Sequence, residues 1–166
     1  MKKMMIERIR MFARVTCITD YSGNFCAFRG QPSFEGLIAL YERPFCKGEL
    51  YLKMLTTEND CFYTTGGLLA ESDHGTYRLS THNHIYYFEP VNFAVEIQQR
   101  LMRLYELFLL IESNGRNEFF FHFVLLSLPE EIEKYCSGEQ KLDVLATAIN
   151  QLMDDRSNEV LDTKLN

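Results

Sequence analysis

The chain has 166 residues, of which 46% are hydrophobic, 24% charged and 13% aromatic, and its net charge is −6. A chain of this length and composition buries a core of its own without disulfide or metal staples, which excludes a disordered protein. No apolar stretch approaches the roughly 18 residues needed to span a bilayer as a helix, and the acidic balance argues against a nucleic-acid partner.

Residues 1–14 begin with positive charge, but Glu7, Arg8 and Arg10 interrupt the apolar run that a signal peptide requires. Within them, Met5, Ile9 and Phe12 fall at helical spacing and predict a short amphipathic helix over Met4–Phe12. Two β-prone runs, Val15–Thr19 and Phe25–Phe28, flank Tyr21-Ser22-Gly23-Asn24 and predict a hairpin. Ser33 stands as an N-cap before Phe34, Leu37, Ile38 and Tyr41, a spacing that predicts a short helix closed by Pro44. Strands follow at Leu50–Thr56 and Cys61–Thr65 around the turn Glu58-Asn59-Asp60. Gly66-Gly67 reads as a bulge or strand end.

A further hairpin is expected from Thr76–Thr81 and Ile85–Glu89, with His82-Asn83 as its turn. That register sets Tyr77 against Phe88 and Leu79 against Tyr86. From Asn92 to Ser113 the pattern turns helical, with Phe93, Ile97, Leu101, Leu104, Phe108 and Ile111 in one stripe and Gly115 as the stop. Glu118–Leu128 is nearly continuous apolar and is read as a buried strand, a helix being the alternative. Ser127-Leu128-Pro129-Glu130 resembles a capping box opening a helix to Cys136. Leu142, Leu145, Ala146, Ile149, Leu152 and Met153 give a last amphipathic helix, and residues 156–166 a polar tail. The sum is an α+β fold: a mostly antiparallel sheet from the first half, with a long helix and two C-terminal helices packed on one face, in one domain over residues 1–155.

The five cysteines, Cys17, Cys26, Cys46, Cys61 and Cys136, include no pair at zinc-site spacing and cannot all pair with one another. Together with the lack of an Asn-x-Ser/Thr acceptor, they point to a reducing, cytoplasmic setting. Motifs for chemistry are sparse. His82 and His84, two apart on a strand, could chelate one ion with His74 and Asp73 upstream, which would make a metal-assisted hydrolase; a polar hairpin turn explains the same residues. His122, among four phenylalanines, reads as a core histidine or a shielded base. No nucleophile elbow, P-loop or dinucleotide fingerprint is present, and no cofactor is implied. A ligand held between sheet and long helix by Tyr63, Tyr77 and Tyr86 is a third possibility.

The leading expectation is a non-catalytic interaction domain of the adaptor, inhibitor, immunity or chaperone kind. Charge is uneven along the chain: nine Lys/Arg against five Asp/Glu over residues 1–53, but five against ten over residues 115–166. Glu130, Glu131, Glu133, Asp143, Asp154 and Asp155 are the expected partner-binding residues, presenting one sign of charge to a basic protein surface.

Overall fold

In a computed structural model, residues 5–165 are described, with side chains for residues 5–155. The described residues form an α+β fold: an antiparallel sheet of eight strands and four helices. The chain divides into two compact units, residues 1–101 and 102–166.

The first unit holds the sheet. Its long first strand, β1 (Ile6–Asp20), occupies the segment where helical spacing predicts a helix over Met4–Phe12; Met4 lies outside the described residues. Ile9, Met11, Ala13 and Val15 alternate onto the interior, a period of two that outcompetes the three residues at helical spacing. A bulge between Val15 and Cys17 then shifts the inward set, so that Ile18 follows. The basic residues between them point outward and are matched by acids. Arg8 meets Glu42 at 3.0 Å, Arg10 meets Glu7 at 2.8 Å, and Arg14 meets Glu35 at 2.9 Å.

The expected hairpin is present: β1 turns into β2 (Phe25–Cys26) with Ile18 opposite Cys26, and Gly23 takes a positive φ of 88° in the turn. Asp20 closes that turn, accepting hydrogen bonds from the Ser22 and Asn24 backbone amides. The next correction is β3 (Phe34–Glu42), a strand where Ser33 and four apolar residues predict a helix. Leu37, Ile38, Ala39 and Leu40 are all buried, so both faces of this strand are covered. A run of that kind carries helical and strand spacings at once. Gly36 decides the matter, because a Cβ there would stand 2.7 Å from the Thr56 Cα of the neighbouring strand.

β4 (Leu50–Thr56) and β5 (Cys61–Tyr63) form the expected pair, with Asn59 at φ 66° in the turn. β6 (Gly67–Glu71) is a strand that the sequence reading does not include, although its start at Gly67 agrees with reading Gly66-Gly67 as a bulge or strand end. Gly67 is its first residue and approaches the Ser80 carbonyl carbon to within 2.9 Å of where a Cβ would be. β7 (Tyr77–Thr81) and β8 (His84–Pro90) pair as expected, Tyr77 with Phe88 and Leu79 with Tyr86.

Because β8 pairs back onto β1, the path β1-β3-β4-β6-β7-β8 closes on itself. The closed sheet is filled rather than hollow. Phe28, Phe34, Phe62 and Tyr86 pack ring to ring at 4.8–5.5 Å among Ile38, Leu40, Leu52, Met54 and Leu79. The fully buried members, Ile38, Leu40, Leu52, Met54 and Leu79, each contribute about 1.5–3 kcal/mol, and Phe28 and Tyr86, partly buried, contribute less.

The helix α1 (Val95–Ser113) leads into the second unit and ends as expected, with Gly115 left-handed at φ 79° and the Arg116 amide returning to the Ile111 carbonyl. Glu118–Leu128, read as a buried strand, is instead helix α2 (Glu118–Ser127). The Asn117 side chain caps its first turn by accepting from the Phe119 and Phe120 amides. The capping box at Ser127 is absent. Ser127 ends α2, and α3 (Pro129–Ser137) starts from Leu128 without a side-chain cap, Pro129 supplying the preset first turn. Gly138 at φ 88° ends α3, and α4 (Leu142–Leu165) follows. No Pro or Gly interrupts α4, and its backbone stays helical through residues 156–165 of the expected tail.

Candidate interaction surface

The second unit is pinned by a reciprocal contact between α1 and α3. The Tyr135 hydroxyl donates to the Arg103 carbonyl at 2.8 Å, and the Arg103 guanidinium donates to the Tyr135 carbonyl at 3.0 Å. Burial, with the Glu106 carboxylate adding to it, pushes the Tyr135 phenol up to about 12.

Against that frame α2 turns only part of its apolar surface inward. Phe121 and Val124 are buried, with Phe121 edge-on to Phe108 of α1 at 5.3 Å. On the opposite side Phe119, Phe123 and Leu126 follow at spacings of four and three residues, which aligns them in one ridge. Phe119 is 73% exposed and Leu126 83% exposed, while Phe123 is half-buried. An all-round apolar helix is ordinarily covered on every side, so this ridge is unusual for a surface.

Beside the ridge runs a depression of about 310 Å³ between α1, α2 and α4. Leu110 and Ile111 of α1, Phe120 of α2, and Ala146, Ile149 and Met153 of α4 form its walls. Asn114, Arg116 and Asn150 are its polar members, and the Arg116 guanidinium lies 5.2 Å from the Phe120 ring centre. A second, more open hollow of about 420 Å³ shares Arg116 and Phe120 and reaches Phe119 and Phe123. The two adjoin at Arg116 and Phe120.

Charge is concentrated here as well. Residues 1–101 carry eleven basic and eleven acidic side chains, whereas residues 102–166 carry six and twelve. The entire net charge of −6 therefore belongs to the helical unit. The acidic residues picked out from sequence occupy different places on it. Glu130 and Glu131 lie in the first turn of α3 and Asp143 in that of α4, where a carboxylate favours the exposed amides of a helix start. Asp143 also accepts a hydrogen bond from the Val144 amide at 2.9 Å. Glu133, Asp154 and Asp155 are exposed on the helix bodies. At about 1.5 Å per residue, Asp143 and Asp154 stand roughly 16 Å apart along α4.

Three of the four histidines, His74, His82 and His84, belong to the first unit, and His122 lies on α2. His74 lies exposed in the turn closed by Ser72 and Thr76, and His82 is exposed in the β7–β8 turn. His84 is half-buried, its ring 6.2 Å from that of Tyr86. Among the described residues, no group of three His, Cys, Asp or Glu side chains is placed to hold a metal ion. His122 is half-buried beside Phe121. Tyr86 packs on Phe62 inside the sheet and Tyr77 stacks on Phe88, while Tyr63 is exposed and next in sequence to the inward Phe62, so the three do not line one site. None of the five cysteines is in a disulfide. At one end of the sheet a polar hollow of about 250 Å³ involves Arg14, Gln31, Glu35 and Glu58, but these side chains already engage one another: Arg14 with Glu35, and Gln31 with Glu58 at 3.0 Å.

No helix among the described residues is long and apolar enough to cross a membrane. No protein-family model, curated protein or solved structure matches the chain.

Proposed function

We propose that this protein is a non-catalytic interaction domain that buries the α2 face of its helical unit against another protein. One observation carries the reading: α2 leaves Phe119 and Leu126 largely in water on the side opposite its buried Phe121 and Val124. Large aromatic and aliphatic side chains aligned in this way suit the apolar centre of an interface. The unbridged cysteines support action in the cytoplasm or another reducing compartment.

The test is the double substitution Phe119→Ser and Leu126→Ser. Both side chains are exposed, so circular dichroism and the unfolding midpoint should be unchanged. Affinity purification from the native host should recover a partner with the wild-type protein and lose it with the variant. Recovery of the same proteins by both would refute the proposal.

A further inference from the structure

The phase of α4 separates its acids into two kinds. At about 100° per residue, the groove residues Ala146, Ile149, Asn150 and Met153 share one side of the helix, with Asn150 at its edge. Asp143 falls within about 20° of Asn150, and Asp154 within about 40°, so helix phase sets both on the Asn150 side of α4, roughly 16 Å apart and beyond the residues that line the groove. Asp155, next in sequence, points about 140° away from Asn150. A groove with largely apolar walls, flanked on the Asn150 side of α4 by two carboxylates, has a specific complement.

We propose that this groove holds a basic amphipathic helix of a partner protein, with apolar anchors between α1, α2 and α4 and Lys or Arg side chains at Asp143 and Asp154. This rests on the interaction reading and names its partner class. Charge selects the occupant. A second copy of this chain would bring two units of −6 together, and a nucleic acid or an anionic lipid surface would meet the same repulsion. A cationic helix is drawn in, and its apolar side chains at spacings of three and four fit a trough of this kind. Arg116, the cation of the lining, is turned onto the Phe120 ring and borders the groove at the α2 end.

The experiment uses the full chain and a fluorescent synthetic peptide of about 18 residues, with Leu at helical spacing and Lys elsewhere. Controls are the same peptide with Glu for Lys, and a scrambled peptide of identical composition. Anisotropy should show binding of the amphipathic Lys peptide alone, weakened by added salt. Asp154→Lys should weaken it by about tenfold, Asp155→Lys by less than about twofold, and Ala146→Glu should abolish it. Equal losses for Asp154→Lys and Asp155→Lys would reveal a diffuse field and overturn the proposal, as would equal binding of the scrambled or Glu peptide. If no peptide binds while Phe119→Ser with Leu126→Ser still sheds a host partner, the groove inference falls and the interaction reading stands. If neither effect is seen, both fall.

Discussion

Replacing Tyr135 by Phe should lower stability at neutral pH and raise it at high pH. The Tyr135 side chain is only 2% exposed, and its hydroxyl makes the 2.8 Å hydrogen bond that ties α3 to the Arg103 carbonyl of α1. Losing that bond costs about 1 kcal/mol at pH 7. The same burial holds the phenol neutral up to about 12, whereas an unfolded chain releases the proton near pH 10. Preference for the neutral form thus stabilises the fold fully below pH 10, and this contribution is lost as pH rises from there towards 12. A shift of that size corresponds to at most about 3 kcal/mol, which phenylalanine never gains and never loses. The wild type should lead by about 1 kcal/mol at pH 7, the two proteins should match near pH 11, and the variant should lead by about 1 kcal/mol at pH 12. Urea unfolding followed by far-ultraviolet circular dichroism, taken as the difference between the two proteins at each pH, cancels the other tyrosines. Parallel stability curves from pH 7 to 12 would refute the reasoning.

Gly36→Ala should destabilise by about 2–4 kcal/mol, because the new methyl meets the backbone of Leu55 and Thr56, which cannot give way without opening the β3–β4 pair. Gly75→Ala, in open space at φ 76°, should cost only about 1 kcal/mol, and equal costs in denaturant titration would count against the close approach at Gly36. His82→Ala with His84→Ala should change stability by less than about 1 kcal/mol, His82 being exposed in the turn and His84 half-buried at the first position of β8. A larger loss, accompanied by zinc stabilisation of the wild type alone, would instead favour a metal site.

The hairpins were readable because their information is local. The Ser22-Gly23 and Glu58–Asp60 turns and the Tyr77–Phe88 register each follow from a few adjacent residues. β1 and β3 were not, since their short windows satisfy helical and alternating periods equally. What decides them is pairing with β8 and β4, far along the chain for β1, and the missing side chain of Gly36. For α2 the signals were present in Gly115 and Asn117, a stop and a cap that together leave room for a new helix, but an apolar run has no period to confirm it. Reading that run as a strand hid the ridge of Phe119, Phe123 and Leu126, which exists only at helical phase. The acidic residues were visible one by one. Which of them flanks the groove depends on where Ala146 and Asn150 face, and sequence alone does not supply the opposing wall of Leu110 and Phe120.

Site-specific photo-crosslinking in the native host tests the central claim most directly. A photoreactive amino acid at position 126 on α2 should cross-link to one other protein, identified by mass spectrometry. The same group at position 68 on β6, where Leu68 is also well exposed, should give no such product. Cross-links at position 68 with none at position 126 would contradict the assignment of the interaction to the helical unit.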